Sequence, residues 1–268
     1  IRGRKKMDST KVVKAESSSA AAQAIGSAGE GKILAGGMTL IPTLKQRLAN
    51  PDCLVDISSC GLEGIEDQGS SLRIGAMTKH VTVAESSTVA KAIPALVGLA
   101  ERIGDRQVRN RGTIGGSVAN NDPAACYPSA VLALDGTVHT NRRDIAASDF
   151  FTGMFETALE EDEVIEAVSF KKPEKASYMK FPNPASRYAM VGVFVAKFSD
   201  GVRVAVTGAG EEGVFRHSDL ENALSSNFNE DAVSGVEVSA NGLMSDIHAS
   251  ADYRANLIGE MTKRAVSS

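Results

Sequence analysis

Two short stretches constrain this chain more than any other feature. In Ala35-Gly36-Gly37-Met38-Thr39, and again in Thr113-Ile114-Gly115-Gly116-Ser117, adjacent glycines are flanked by small or hydroxyl-bearing residues. Glycine reaches positive φ without steric cost and lets backbone N–H groups approach a bound group closely. Successive N–H groups in such a turn form a concavity suited to an anion, and a following helix N-terminus adds its positive dipole end. Two such loops from separate segments can clamp one pyrophosphate between them. A single Gly-Gly pair taken alone reads as a turn. Neither stretch is a G-x-G-x-x-G or a Walker loop, so the residues by themselves mark a candidate phosphate site and no more.

Composition narrows the function classes. A chain of 268 residues is long enough for two or three compact units. It has no apolar run long enough to span a bilayer, and no signal-peptide pattern opens it. The basic start Ile1-Arg2-Gly3-Arg4-Lys5-Lys6 reads as a vector remnant ahead of a native Met7. The formal net charge of -4, with no second basic cluster, argues against nucleic acid as a partner. Three cysteines, Cys53, Cys60 and Cys126, are too few and too odd for a disulfide framework and point to a reducing, cytoplasmic setting. They are also too few to hold an iron–sulfur cluster with this chain's thiolates alone. His80, His139, His217 and His248 show no paired ligand spacing, so no metal site is expected.

The coarse element pattern is mixed. Lys11 to Lys14 reads as a strand, and Ser17 to Ser19 as the cap of an alanine-rich helix through Ile25. A strand at 32–34 precedes the first glycine pair, a helix from about Leu40 to Leu48 follows it, and 53–57 is a strand. Leu62–Glu66 and Leu72–Gly75 read as a hairpin. Thr78 is expected to cap a helix through Val83, and Ile93 to Arg102 has helical apolar spacing. Gly104 to Asp122 reads as a polar, glycine-rich stretch. A helix opened by Pro128 stops at Asp135-Gly136, and strands are expected at 137–139 and 164–170. Lys171 to Lys175 reads as a linker. Met190–Phe198 and Val202–Gly208 form a hairpin around Ser199-Asp200-Gly201, and helices near 218–224 and 253–265 complete an α+β unit.

At the glycine pairs the chain resembles a known family, the flavin (medium) subunits of aerobic carbon monoxide dehydrogenase and their relatives in the xanthine dehydrogenase group. The resemblance is carried by Leu34-Ala35-Gly36-Gly37-Met38-Thr39-Leu40-Ile41-Pro42, Leu54-Val55-Asp56-Ile57, Ile74-Gly75-Ala76-Met77-Thr78 and Arg109-Asn110-Arg111-Gly112-Thr113-Ile114-Gly115-Gly116. Further on it includes Asp122-Pro123-Ala124-Ala125, Asp149-Phe150-Phe151-Thr152-Gly153, Tyr253-Arg254 and Lys263-Arg264-Ala265. The order is kept over most of the chain. The resemblance implies an α+β fold: a two-domain FAD-binding unit of the vanillyl-alcohol-oxidase type, at 7–57 and 58–170, followed by an α+β domain at 176–268. It implies FAD held by Ala35, Gly36, Gly37, Met38, Thr39 and Leu40, by Thr113, Ile114, Gly115, Gly116 and Ser117, and by Ile165. It places Lys180 near the flavin and Tyr188 beside its ring. Cys126 stands where the family usually has an aspartate, and a thiol is a poor hydrogen-bond partner. That contact is therefore expected to be lost or to pass to Asn121 or Asp122.

The resemblance further implies partners: a large subunit with the molybdenum–molybdopterin cofactor and a small subunit with [2Fe–2S] clusters, assembled as a dimer of heterotrimers. Electrons would enter this chain's FAD and leave to an external acceptor, with no catalytic acid, base or nucleophile assigned to the chain. Two other readings stand beside it, a stand-alone flavin oxidase and a scaffold that has lost FAD, for which Cys126 is the best sign.

Overall fold

The structure is a computed structural model and describes residues 10–268. The reading of Met7 as the native start lies outside those residues. Among the described residues, three larger sheets and a two-stranded ribbon of Phe151–Gly153 with Glu156–Thr157 organise the chain. The first is parallel and three-stranded, with Cys53–Asp56 between Lys11–Lys14 and Gly31–Leu34. The central strand reads as a continuous apolar run because it is covered on both faces, and Cys53, Leu54 and Val55 are buried. Helix Ser18–Gly26 packs on this sheet through Ala21, Ala22 and Ile25, and the Ser17 hydroxyl caps it by accepting from the Ala20 N–H. The first glycine pair lies at the carboxyl end of Gly31–Leu34 and leads into helix Leu40–Lys45.

The second sheet is antiparallel and five-stranded, in the spatial order Ile65–Asp67, Ser71–Gly75, Ile165–Lys171, Thr137–Thr140, Asp144–Ala146. Alternation divides its residues between two faces. Leu72, Ile74, Val138, Ile145, Val168 and Phe170 enter a core shared with Leu96 and Leu99 of helix Pro94–Glu101 and with Tyr127 and Val131 of helix Tyr127–Ala133. The other face carries the polar residues.

The third sheet, Lys175–Pro182, Ala189–Phe198, Gly201–Gly210 and Gly213–Arg216 in that order, is antiparallel. It is covered on both sides. Val191, Val193, Val195, Val202, Val204 and Val206 face Leu220 and Leu224 of helix Ser218–Ser226 and Leu257, Ile258 and Met261 of helix Ala251–Ser267. The alternate residues Tyr178, Phe194, Ala196, Phe198 and Ala205 belong to the core of the second sheet. One strand thus stitches two cores together, which is why Met190 to Phe198 shows no polar alternation.

Several expectations are corrected. Thr78 does not cap a helix: its hydroxyl bonds the N–H and carbonyl of Gly64, and helix His80–Ala84 starts without a side-chain cap. The stretch from Gly104 to Asp122 holds two short helices, Arg106–Arg109 and Ile114–Asn120, begun by the side chains of Asp105 and Thr113. Their caps were visible as residue types, but the short glycine-rich run between them hid the helical turns. Lys171 and Lys175 are strand ends, so the expected linker shrinks to 172–174.

Candidate functional site

The three sheets meet around a cavity of about 570 Å³, within the range of small-molecule and cofactor sites. The first unit contributes Ala35, Gly36, Gly37, Met38, Thr39 and Leu40. The second contributes Thr113, Gly115, Gly116, Ser117, Asp122, Cys126 and Ile165, and the third Lys180 and Tyr188. Fold thus gathers residues that are far apart in sequence.

Each glycine loop is pressed close by a neighbouring segment, the first by Arg111-Gly112 and the second by Ala76. A Cβ on Gly36 would lie 2.1 Å from the Arg111 carbonyl oxygen, and one on Gly115 would lie 2.5 Å from Ala76 Cβ. Those two glycines are therefore required by the contact of protein with protein. Gly37 adopts φ +73°, the left-handed region that glycine occupies freely. Gly116 differs: its added Cβ would meet only the Thr113 hydroxyl at 3.0 Å and Ala35 Cβ at 3.7 Å.

The loops also differ in what their amides do. The N–H groups of Gly36, Gly37, Met38, Thr39 and Leu40 find no acceptor among the described residues. In the second loop every corresponding donor is engaged. Ile114 N–H donates to the Thr78 carbonyl, Gly115 N–H to the Ala76 carbonyl, and Ser117 N–H to the Thr113 carbonyl. Gly116 N–H donates to the Thr113 hydroxyl at 3.2 Å. The two loops thus differ: the first is a nest of free donors, and the second is a wall that also offers the Ser117 hydroxyl.

Ile114 and Asn121 do not line the cavity. Ile114 is in the core. Asn121 is buried in a left-handed conformation, φ 41°. Its amide donates to the Gly153 carbonyl at 2.9 Å and the Glu156 carbonyl at 2.8 Å, which shapes the 153–156 turn. Asp122 does line the cavity, held there by the Ala124 N–H at 2.9 Å. Burial raises its carboxyl above the ordinary range, against the lowering effect of that bond. The segment is pinned to the third sheet, where Thr207 Oγ1 donates to the Ala125 and Pro123 carbonyls at 2.7 and 2.9 Å.

Lys180 is only 8% exposed. Its ammonium donates to the Arg102 carbonyl at 2.8 Å and to Cys126 Sγ at 3.4 Å. The thiol thus stands where a carboxylate would form a buried ion pair with Lys180. Tyr188 is 48% exposed, at the end of a loop tied by the Asn183 side chain to Ala185 and Ser186. Burial, followed by the Asp122 charge, raises its phenol.

Two lining residues had no sequence signal. His80 is buried against Tyr127, with ring centroids 5.4 Å apart. Burial and then the Arg109 charge lower it to about 4, so it is neutral at physiological pH, and its Nδ1 has no partner. Glu163 is 3% exposed and accepts from Arg143, Thr140 and the Glu160 N–H. Burial would raise it, but these partners prevail and hold it at about 2. No group of His, Cys, Asp and Glu among the described residues is arranged to hold a metal ion.

A run of free amides, a glycine wall and a largely apolar chamber between three units suit a dinucleotide cofactor. The chain matches the family described as FAD binding domain in molybdopterin dehydrogenase over residues 6–172. It is 36% identical over 253 residues to the nicotine 6-hydroxylase medium subunit of Paenarthrobacter nicotinovorans, covering 88% of this chain and 89% of that protein. It is 33% identical over 254 residues to the carbon monoxide dehydrogenase medium chain of Hydrogenophaga pseudoflava, covering 89% and 88%. Among solved structures, quinoline 2-oxidoreductase from Pseudomonas putida 86 superposes with a TM-score of 0.89 at 28% identity, over 98% of this chain and 97% of that one. The chain belongs to the FAD-binding subunits of the molybdopterin dehydrogenases. It is thus an oxidoreductase subunit of α+β fold, and its cofactor is FAD.

Proposed function

We propose that this chain relays electrons within a multi-subunit molybdenum hydroxylase. In that assembly a large partner carries molybdenum–molybdopterin and hydroxylates the substrate, and a small partner carries [2Fe–2S] clusters that feed this chain. FAD supplies the redox chemistry when bound. The chain's own residues bind it, orient it and exclude water. The observation that carries this reading is the row of unpaired amides from Gly36 to Leu40 at the cavity. These amides are only partly covered and have no acceptor of their own, so they are free to donate to a pyrophosphate at the mouth of the following helix.

In this reading Thr39, Met38 and Ala35 border the pyrophosphate from one side, and Gly115, Gly116 and Ser117 from the other. Lys180 offers a buried cation, Tyr188 covers the open edge, and Ile165 with Thr113 completes the wall. The amides and Lys180 together complement the negative charge of the phosphates and of a reduced flavin. No side chain of the cavity need act as nucleophile. The unit boundaries 7–57, 58–170 and 176–268 are proposed to separate the two FAD-holding units from the third, which closes on the cavity through Lys180 and Tyr188.

All three cysteines are free, which supports a reducing compartment, the cytoplasm. No helix among the described residues is long and apolar enough to cross a membrane. The heteromeric reading, a dimer of heterotrimers, is tested by affinity purification of the tagged chain from its native host. The expected result is a yellow complex containing a molybdenum subunit and an iron–sulfur subunit, whose flavin bleaches when substrate is added to the complex but not to this chain alone. Bleaching by substrate with the isolated chain would overturn the relay reading in favour of a stand-alone oxidase.

A further inference from the structure

The polar face of the five-stranded sheet carries a line of side chains that FAD binding does not use. Asp144 lies directly opposite His139 in the pairing of Asp144–Ala146 with Thr137–Thr140. Ser169 lies one diagonal step further, on Ile165–Lys171, where it pairs with Thr137. Arg73 of Ser71–Gly75 stands opposite Ser169 on its other side. All four point to the same face, because their neighbours Ile145, Val138, Val168, Leu72 and Ile74 point into the core.

The hydrogen bonds along this line have a direction. His139 Nδ1 is 2.7 Å from Asp144 Oδ1, and His139 Nε2 is 2.7 Å from Ser169 Oγ. An ionised carboxylate only accepts, so in the neutral imidazole the proton resides on Nδ1. Nε2 is then an acceptor, and the serine hydroxyl donates to it. In that connectivity an imidazole can act as general base toward a hydroxyl while a carboxylate fixes its tautomer. The site is open to solvent: the His139 side chain is 23% exposed and that of Asp144 67%.

We propose that Asp144, His139 and Ser169 form a second, hydrolytic site, acting on small activated carboxylic esters. Ser169 Oγ attacks the acyl carbon while its proton passes to His139 Nε2. The C–O bond to the leaving group breaks, and the leaving alkoxide takes that proton. A water molecule then attacks the Ser169 acyl ester, gives a proton to Nε2, and releases the acid as the proton returns to Ser169 Oγ. Ser169 sits in a central strand paired on both sides, so its backbone surroundings are committed to the sheet. The developing oxyanion is left to solvent, on a face that also carries the cationic Arg73 at the position opposite Ser169. That limits the substrates to esters with good leaving groups, such as aryl esters, and sets a modest rate.

The line was not visible in the sequence, since His139, Asp144 and Ser169 form no local motif and meet only through sheet pairing. The experiment uses the purified FAD-loaded protein with p-nitrophenyl acetate and, separately, an alkyl fluorophosphonate followed by peptide-mass mapping. The expected result is turnover that falls at least about tenfold in Ser169→Ala and in His139→Gln, with the fluorophosphonate on Ser169. Asp144→Asn should fall as well, because an amide donating to Nδ1 leaves Nε2 protonated and unable to accept. Flavin absorbance and melting temperature should stay near wild type in all three. Equal ester turnover in wild type and Ser169→Ala, or an unlabelled Ser169 in the wild-type protein, overturns the proposal and leaves the line as a polar cross-strand ladder.

Discussion

Replacing Glu163 by glutamine tests how the cavity wall is held. Glu163 is buried and accepts from Thr140 Oγ1 at 2.7 Å, from Arg143 Nε and Nη2 at 3.0 Å each, and from the Glu160 N–H at 3.0 Å. Arg143 also reaches the Ala158 carbonyl at 2.7 Å. Together these bonds close the loop that brings Leu159, Glu163, Val164 and Ile165 to the cavity. The carboxyl is held at about 2 against an ordinary value of 4.5. That depression is worth about 3 kcal/mol of folding stability at neutral pH. The folded value is lowered, so the contribution is fully present above the unfolded value and is lost as pH falls from 4.5 toward 2. Glutamine keeps the shape and loses the charge, and the exposed Arg143 it leaves behind can hydrate. Glu163→Gln should therefore lower unfolding free energy by about 3 kcal/mol at pH 7 and by almost nothing near pH 2. Urea unfolding of both proteins across this pH range, without added FAD, measures the difference directly. A difference that stays constant with pH, or is absent at pH 7, would refute the assignment of the charge as the anchor.

Three further outcomes are expected. Gly116→Ala should leave the apo-protein close to wild type in stability, since alanine's helix preference of about 1 kcal/mol offsets the tight 3.0 Å approach of the new Cβ to the Thr113 hydroxyl; FAD titration should nevertheless show affinity reduced at least about tenfold if that face borders the pyrophosphate. Unchanged affinity would remove the second loop from the site. Cys126→Asp should be tolerated, because its carboxylate would meet the Lys180 ammonium that now touches sulfur; a melting temperature raised in the apo-protein is expected, and a collapse in expression would show that the pocket has repacked around the thiol. Tyr188→Ala should retain FAD yet shift the flavin absorbance and speed reoxidation of the reduced protein by oxygen, with Tyr188→Phe changing less because it keeps the ring. An alanine variant identical to wild type in spectrum and reoxidation would make Tyr188 a bystander.

Local chemistry alone was enough to identify the helix capped by Ser17, the helix over Ile93 to Arg102, the hairpin at Asp200-Gly201, and the two glycine turns. Each follows from backbone preferences that a few neighbouring residues decide. The order of several motifs along the chain was enough for the family and for FAD. Tertiary structure alone divided the labour of the glycines. Gly36 and Gly115 permit close packing against Arg111 and Ala76, Gly37 supplies a left-handed turn, and at Gly116 an added Cβ would press only on the Thr113 side chain. Periodicity cannot separate these roles, because each depends on a neighbour from another segment. The same holds for Arg254. It stands in a stretch shared with the family, yet it is buried and donates to the carbonyls of Met190 and Gly208, tying the last helix to the third sheet. His80 and Glu163 reached the cavity unannounced for this reason too, since a lone histidine or glutamate carries no local mark of burial. Sequence fixes what a residue can donate, accept or fit; only packing of distant segments decides which of those capacities is used.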